Sequence, residues 1–361
     1  PGAVITKSIL TTGDYVGPYR LVGKPDGLGV FSDAGAPTLL SNHELSAGQG
    51  VVRAHGSMGA FVSRFGFDAT TLAATSGRDH NTAPTDVHVF NPTTATWTPG
   101  TIAWDRFCSA DLAATSAFSF GALGTTERIL LNGEEARPPA PRYGYAWAHV
   151  ATGPDANRSW HLPHLGQCAF ENAVACPHPQ ATTLVVCLDD SDANTDPTTT
   201  TDPSEVYVYV GTKSAVGNDV ERAGLVGGTL YGLRVTTPAG VVAAESNTYG
   251  FGAATSTFVG SATFELVSLG DASTFDGFAQ QAASIANDVT RFRRPEDGAW
   301  DVRPGFENRF YFATTASASN GRLFRLTFAD LSQPTLGGTI DMLLTGAEGH
   351  RNLDNICADV H

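Results

Sequence analysis

Residues 128–135 read RILLNGEE, a short apolar run that ends in two carboxylates. Residues 38–44 (TLLSNHE) and 183–190 (TLVVCLDD) follow the same pattern, an apolar run and then acidic side chains. Each segment predicts a short buried strand with a carboxylate at its end. Carboxylates resist burial and repel one another, so three such strand ends predict a cation or a hydrogen-bond network that balances their charge. Ca²⁺ is the simplest candidate because it prefers oxygen ligands.

Short strand-like runs continue along the chain, and 39 glycines and 20 prolines interrupt them every few residues. This composition favours short strands over long helices, and only residues 278–289 (FAQQAASIANDV) predict a helix. The pattern predicts strands at 28–31, 37–41, 60–67, 86–90, 128–132, 145–150, 183–188, 205–211, 229–235, 240–246, 262–267, 309–314, 322–328 and 338–344. A mostly antiparallel protein with strands at such short spacing is a sandwich, a β-helix or a propeller.

The spacing of the strand-end carboxylates favours the propeller. Glu44 and Glu135 lie 91 positions apart, and Glu135 and Asp190 lie 55 apart, which approximates two blades and one blade of about 45 residues each. The spacing fits a β-propeller of antiparallel four-stranded blades, an all-β fold with few short helices, and leaves the sandwich and the β-helix open. The inner strands of a propeller converge on a central channel, so these carboxylates are expected to meet there. Residues 1–361 are expected to form a single propeller domain whose last blade is incomplete at the C-terminus.

Composition restricts the partners. A net charge of −14 argues against a nucleic-acid phosphate backbone as partner and is compatible with cation binding. No apolar stretch reaches the roughly 18 residues that a membrane-spanning helix needs. The chain starts at Pro1 without an initiator Met or a signal peptide, which predicts a processed start and a secreted or periplasmic location.

The five cysteines contain no CxxC pair, which disfavours a zinc ribbon or a thioredoxin-type motif. Cys168 and Cys176 flank a short loop, where they form either a disulfide or a pair of buried thiols. The chain has no GxSxG, HExxH or Walker A motif and no GxGxxG that opens a helix. A serine hydrolase, a zinc protease and a nucleotide-dependent enzyme are therefore disfavoured.

Several polar groups are candidate ligands or catalytic residues, each with a structural alternative. Arg294 stands beside a carboxylate, an arrangement that holds phosphate against the negative charge of a metal site, and the alternative is a surface salt bridge. His43 is the imidazole of a strand end, and the alternative is a hydrogen-bonded turn. Glu171 lies in an apolar stretch and needs a partner if buried. We predict Arg294 and His43 as catalytic residues, and as metal ligands Glu44, Glu134, Glu135, Glu171, Asp189, Asp190, Glu296 and Asp354.

Six short segments, in the order in which they occur along the chain, resemble those of secreted bacterial proteins related to the PhoX-type alkaline phosphatases. The segments are PDGLGVF (25–31), LLSNHEL (39–45), LNGEEA (131–136), LGQCAFENAVA (165–175), RRPEDGAW (293–300) and GAEGHRNLDNI (346–356). The resemblance implies a propeller of roughly six blades, a cluster of calcium and iron at the mouth of the channel, and hydrolysis of phosphate esters.

The resemblance carries over to individual residues only in part. Glu134 and Glu135 match a Cys-Glu-Glu motif of the phosphatases, but Gly133 stands where the iron-binding Cys would be. Glu171 matches a His-Glu motif, but Phe170 stands where the His would be. Arg294 and Glu296 match an Arg-Pro-Glu motif whose Arg faces phosphate and whose Glu binds metal. Carboxylates without thiolate or imidazole favour calcium, so we expect more than one Ca²⁺ and doubt iron.

Three functions remain open. The first is a secreted calcium-binding propeller that hydrolyses small phosphate esters in its central channel. The second is a non-catalytic extracellular propeller whose calcium ions stabilise the fold while its rim binds a partner. The third is a calcium-dependent esterase or lactonase, because calcium polarises carbonyl groups as well.

Overall fold

The structure is a computed structural model that describes residues 7–136, 143–191, 204–240, 242, 260–315 and 321–360. Short strands dominate these residues. The strands are β1 (Tyr15–Val16), β2 (Tyr19–Arg20), β3 (Pro25–Asp33), β4 (Ala36–His43), β5 (Phe61–Phe67), β6 (Ala74–Asp79), β7 (Val87–Asn91), β8 (Thr96–Pro99), β9 (Phe107–Leu112), β10 (Ser119–Phe120), β11 (Leu123–Gly124), β12 (Ile129–Glu134), β13 (Gly144–Val150), β14 (Ser159–His161), β15 (Gln167–Cys168), β16 (Phe170–Ala175), β17 (Thr182–Asp189), β18 (Ser204–Thr212), β19 (Thr229–Thr236), β20 (Ser261–Gly270), β21 (Arg291–Phe292), β22 (Pro295–Trp300), β23 (Arg309–Thr314), β24 (Arg322–Phe328) and β25 (Gly338–Leu344).

Helices are short in the described part of the chain. The α-helices are α1 (Asp219–Arg222) and α2 (Gly277–Ala286). Single 3₁₀ turns lie at Pro84–Asp86, Thr115–Ala117, Pro163–Leu165, Ala272–Thr274 and Pro334–Leu336. No helix among the described residues is long and apolar enough to span a membrane.

Sheets of four, seven and ten strands form the body of the described protein, and they divide into four antiparallel units of four strands each. We call them the first blade (β3–β6), the second blade (β9, β12, β13 and β14), the third blade (β16–β19) and the fourth blade (β22–β25). The hairpin β7–β8 extends the second blade through a parallel pairing of β7 with β14. Strand β20 pairs with both β19 and β25 and so joins the outer edges of the third and fourth blades.

The innermost strands β3, β9, β16 and β22 surround a central channel. Residues of all four strands line it, together with the irregular C-terminal residues 355–358. The cavity they enclose has a volume of about 740 Å³, within the range of about 300–1,000 Å³ that is usual for ligand pockets. A radial arrangement of four-stranded antiparallel sheets around a channel is that of a β-propeller.

The apolar core lies between blades. Leu130 of β12 packs in the cluster between the first and second blades, whereas its neighbours Ile129 and Leu131 pack in the cluster between the second and third. Val186 of β17 packs toward the fourth blade, and Val185 and Cys187 on either side of it pack toward the second. Successive side chains of a strand point to opposite faces, so a strand covered on both faces is a continuous apolar run rather than an alternating one.

The structure corrects several local predictions. The predicted helix 278–289 is α2, which ends earlier, at Ala286, because the backbone leaves the helical conformation at Asn287 and Asp288 has a positive φ of 52°. The predicted strand 86–90 begins at Val87, after a 3₁₀ turn. Most of the predicted strand 240–246 lies outside the described residues. No predicted strand covers β9, β16 or β22.

All five cysteines are free thiols, and Cys168 and Cys176 are buried. This agrees with the buried-thiol alternative and not with a disulfide. The number of about six blades, the single-domain organisation of residues 1–361 and the incomplete last blade remain predictions.

Candidate metal centre

The four blades repeat one backbone hydrogen bond at the same end of the channel. In each blade, the residue after the second strand donates its N–H to the carbonyl of the residue before the innermost strand. The pairs are Glu44 to Lys24 at 2.9 Å, Glu135 to Arg106 at 2.9 Å, Asp190 to Ala169 at 2.8 Å and Thr315 to Arg294 at 3.1 Å. Glu44, Glu135, Asp190 and Thr315 therefore occupy equivalent positions, and three of the four are carboxylates.

A β-bulge follows the first residue of every innermost strand. The pairing register shifts at this point in the first, second, third and fourth blades alike. A bulge redirects a side chain and bends its strand, and bulges are common beside functional sites. The second residues of the four strands, which lie at these bulges, are Asp26, Cys108, Glu171 and Glu296.

Six of these eight side chains, together with Asp354 of the C-terminal segment, form one group that we call the acidic cluster. It consists of Glu44, Cys108, Glu135, Glu171, Asp190, Glu296 and Asp354. Ligand atoms within 4.8 Å of one another form three groups: Glu44, Cys108 and Glu135; Glu135, Glu171 and Asp190; and Glu171, Glu296 and Asp354. Because consecutive groups share Glu135 and then Glu171, the acidic cluster offers three adjoining cation positions.

Two arginines flank the acidic cluster, and each contacts the preceding blade. Arg106 Nη2 lies 2.8 Å from Glu44 and 2.6 Å from Glu135. Arg294 binds both carboxylate oxygens of Asp190 at 2.7 Å and lies 3.3 Å from Glu296. Both arginines have positive φ angles, 50° for Arg106 and 58° for Arg294. Residues other than glycine adopt such backbone angles at an energetic cost. The fold thus holds both guanidinium groups in place at the cluster.

The third blade departs from this pattern, because buried Ala169 stands where the second and fourth blades carry Arg106 and Arg294. The group next to it is Glu135, Glu171 and Asp190, all three buried. The third blade thus supplies no arginine of its own, and Arg106 and Arg294 of the adjacent blades pair with Glu135 and Asp190 of this group.

Burial shapes the titration of the acidic cluster. It raises the pKa of Glu135 to about 7 against the opposing effect of Arg106. Burial and the charge of Asp190 raise the pKa of Glu296 to about 8. Burial and the charge of Glu296 raise the pKa of Glu171 well above its usual range. Without a cation, these carboxyls therefore retain protons near neutral pH, and cations and protons compete for the same oxygens.

The donor atoms fit a hard cation. Six carboxylates supply oxygen, the ligand that Ca²⁺ prefers, and Cys108 adds one sulfur. A Cβ atom at Gly133 would lie 2.2 Å from Cβ of Phe170. The Phe170 side chain therefore fills the space of a side chain at 133, and neither position supplies a ligand. The preference for calcium over iron remains a prediction, because Cys108 offers the cluster a sulfur ligand from a different strand.

Three predicted site residues lie away from the acidic cluster, because neighbours in a strand point to opposite sides. Glu134 accepts hydrogen bonds from Asp105 N–H, Tyr145 N–H and Trp147 Nε1 at 3.0–3.3 Å. Asp189 accepts from Ala169 N–H at 3.1 Å and from Ser191 Oγ at 2.9 Å.

His43 is the third of these residues. Its Nε2 lies 2.7 Å from Ser63 Oγ, and its ring stacks on Phe61. Burial lowers the pKa of His43 to about 4, so the imidazole is neutral. Its predicted catalytic role has no contact with the acidic cluster to support it. The predicted site residues at the three strand ends form adjacent pairs, His43-Glu44, Glu134-Glu135 and Asp189-Asp190. In each pair, only the second residue belongs to the acidic cluster.

Sequence reasoning missed several residues of the site. Arg106 and Cys108 were not considered, nor was Ser109, whose Oγ donates to Glu171 at 2.7 Å. Thr315 Oγ1 hydrogen-bonds Glu296 and also donates to the Leu353 carbonyl at 2.8 Å, which holds the segment that carries Asp354. One signal was available: Arg106-Phe107-Cys108 and Arg294-Pro295-Glu296 each carry an arginine two positions before a residue of the acidic cluster.

Comparison with known proteins identifies a structural neighbour. No family model matches the chain, and no curated protein matches it. Among solved structures, PhoX of Pseudomonas fluorescens in complex with vanadate, a transition-state analogue, matches with a TM-score of 0.58 at 12% identity. The match covers 88% of this chain and 66% of the PhoX chain, so this chain spans about two thirds of that protein. The fold is therefore a PhoX-like β-propeller, which confirms the predicted fold class.

The contact between Gly133 and Phe170 predicts a specific coupling. Gly133→Ala should lower stability by about 1–3 kcal/mol, because the added methyl group overlaps Phe170. In a Phe170→Gly background, which also removes the Cβ atom and itself costs more than the about 3–5 kcal/mol of a Phe→Ala change, the same substitution should cost much less. Urea denaturation of the four proteins of this cycle measures the coupling. Equal costs of Gly133→Ala in both backgrounds would contradict the close contact.

The raised carboxyl pKa values predict that stability without divalent cations falls as the pH rises. The pKa of Glu296 is 4.5 as an unperturbed group and about 8 in the folded protein. The folded state thus holds a proton that the unfolded chain has lost, and ionisation across this interval disfavours folding.

Thermal unfolding in EDTA between about pH 5 and pH 8 tests this linkage. Glu296→Gln should give a shallower decline of Tm than the wild type. Glu265→Gln, which removes an exposed carboxylate on the outer strand β20, should follow the wild type. Identical slopes for Glu296→Gln and the wild type would show that Glu296 does not titrate in this interval.

Proposed function

We propose that the protein is a divalent-cation-dependent hydrolase of phosphate esters whose active site is the acidic cluster. The observation that carries the proposal is the sharing of Glu135 and Glu171 between three adjoining ligand groups, with an arginine on either side. The PhoX structure with which the chain shares its fold binds vanadate, a transition-state analogue. The proposal extends this chemistry to the acidic cluster.

The six carboxylates of the acidic cluster are the proposed ligands. Glu135 and Glu171 would each contribute to two cation positions, and Glu44, Asp190, Glu296 and Asp354 to one. Six carboxylates opposed by two guanidinium groups leave an excess of negative charge that more than one Ca²⁺ would neutralise. Bound divalent cations would supply Lewis-acid polarisation of the phosphoryl group and a more acidic water.

The arginines have the geometry to orient a phosphate group. Arg294 already holds the two oxygens of Asp190 in a bidentate pair, the arrangement in which a guanidinium also binds phosphate. Side chains of Arg294 and Arg106 remain 29% and 36% exposed, so both can contact a ligand that enters the opening. The two arginines would thus hold the equatorial oxygens from opposite sides of the cluster.

The wider context belongs to the same proposal. A small phosphate ester would be the substrate, and a secreted or periplasmic location would supply the millimolar calcium that weak extracellular sites use. The non-catalytic calcium-binding propeller and the calcium-dependent esterase are the alternatives that the following measurements separate.

Cation removal should destabilise the protein. Ca²⁺ that binds only the folded state contributes about 2.7 kcal/mol per site at a concentration of one hundred times Kd. We expect Tm to fall by several degrees in EDTA and to recover on addition of Ca²⁺, with elemental analysis reporting the ions bound per chain. Glu171→Gln should reduce this response, and Glu265→Gln should not. An unchanged Tm in a protein that elemental analysis shows to be metal-free would refute the metal centre.

Hydrolysis should depend on Arg294. With Ca²⁺ present, Arg294→Ala should lower kcat/KM for p-nitrophenyl phosphate by about 10²–10³, as removal of a transition-state donor does elsewhere. Arg294→Lys should recover part of the activity, because it keeps the charge but not the bidentate geometry. Arg234→Ala, which removes an arginine that pairs with Glu265 on the outer strands, is the matched control.

Three other results would redirect the assignment. Equal kcat/KM for Arg294→Ala and the wild type would exclude the phosphate role of Arg294. Turnover of p-nitrophenyl acetate but not of the phosphate would favour the esterase. Absence of all turnover with a persistent Ca²⁺ effect on Tm would favour the non-catalytic propeller.

A further inference from the structure

The central cavity continues from the acidic cluster into the channel. Ser109 connects the two, because its hydroxyl donates to Glu171 of the cluster while the residue also lines the cavity. Asn355, the neighbour of Asp354, hydrogen-bonds the same hydroxyl at 3.1 Å and lines the cavity as well. A phosphate held at the cluster therefore has its alcohol group directed into this cavity or out to solvent.

The charged side chains of the cavity wall, among the described residues, are all acidic. Asp26, Asp111 and Asp297 line it, and no Lys or Arg is among the described residues that do. Asp111 accepts a hydrogen bond from Ala175 N–H at 2.9 Å, which fixes its carboxylate between the second and third blades. It lies three residues beyond Cys108 along β9, and therefore further into the channel than the acidic cluster.

Asp297 is held as firmly on the other side of the cavity. One of its oxygens accepts from Asn172 Nδ2 and Gly298 N–H at 2.7 Å, and the other accepts from Ile356 N–H at 3.2 Å. The blades thus present two fixed carboxylates, Asp111 and Asp297, at different depths of one cavity.

Apolar side chains complete the wall. Leu28 and Val30 of β3 are 57% and 62% exposed, although both are large aliphatic residues, and both line the cavity. Leu112 and Val174 line it from the second and third blades, and Trp300 from the fourth. Such a wall can contact methyl and methylene groups while its carboxylates attract positive charge and repel negative charge.

Building on the phosphoesterase function, we propose that this cavity is the subsite for the alcohol part of the substrate and selects an alcohol that carries an organic ammonium group. Phosphate esters of amino alcohols are the substrate class. A second phosphate or a carboxylate on the alcohol would face Asp26, Asp111 and Asp297 without a compensating cation among the described wall residues. Nucleoside diphosphates and phosphate esters of sugar acids are therefore expected to be poor substrates.

The decisive comparison uses esters of equal shape and different charge. Phosphocholine carries a quaternary nitrogen where 3,3-dimethylbutyl phosphate carries a carbon. We expect kcat/KM in saturating Ca²⁺ to be at least about tenfold higher for phosphocholine, and lowest for the phosphate ester of 3-hydroxypropanoate, which is anionic.

Variants test whether the cavity wall causes this preference. Asp111→Asn keeps an oxygen for the Ala175 N–H and removes the charge, so it should reduce the preference for phosphocholine over its neutral isostere several-fold. Turnover of the neutral isostere should change little. Glu265→Gln removes one charge on the outer strand β20 and should leave the preference intact.

The outcomes separate this inference from the function on which it rests. Hydrolysis with no preference among the three esters, or with preference for the anionic ester, overturns the subsite and leaves the phosphoesterase standing. If no ester is hydrolysed, the phosphoesterase is wrong, and calorimetric titration with phosphocholine and its isostere in Ca²⁺ decides the subsite. Tighter binding of phosphocholine that weakens in Asp111→Asn supports the subsite, and equal binding overturns it.

Discussion

Repulsion among buried carboxylates governs the arrangement of the protein. Glu135, Glu171 and Asp190 are gathered at one end of the channel, and burial disfavours the ionised forms of Glu135 and Glu171. Arg106 and Arg294 offset part of this charge from either side, each from a left-handed backbone position. The remaining charge requires protons or metal ions. Proton uptake, metal affinity and the ability to hold an anionic substrate are therefore three consequences of one electrostatic imbalance.

Two backbone features that the four blades share bring these charged side chains together. The same N–H to carbonyl hydrogen bond closes the second strand against the start of the innermost strand in all four blades. A bulge then turns the second residue of each innermost strand inward. Glu44, Glu135, Glu171, Asp190 and Glu296, which occupy such positions, therefore approach one another. The blades differ from one another at single positions of this repeat. Ala169 stands in place of an arginine, and Thr315 stands in place of a carboxylate.

Sequence reasoning found the part of this pattern that hydrophobicity reveals. Strands β4, β12 and β17 are buried between blades on both faces, so their apolar runs were recognisable, and Glu44, Glu135 and Asp190 followed from their ends. Strands β9, β16 and β22 were missed because they line the channel and mix polar, small and apolar side chains. Because β9 was not predicted, the roles of Arg106, just before it, and of Cys108, within it, were not predicted either. Which of two adjacent carboxylates faces the channel depends on strand phase, and this separated Glu135 from Glu134 only in the structure.

The sharing of Glu135 and Glu171 between ligand groups has a mechanical consequence. Ligands of the first group come from the first and second blades, those of the second from the second and third, and those of the third from the third and fourth blades and the C-terminal segment. Metal ions at these positions would act as cross-links between successive blades rather than within any one of them. Because cross-links couple the opening of the units they join, a loaded centre would make the four blades unfold as one cooperative unit.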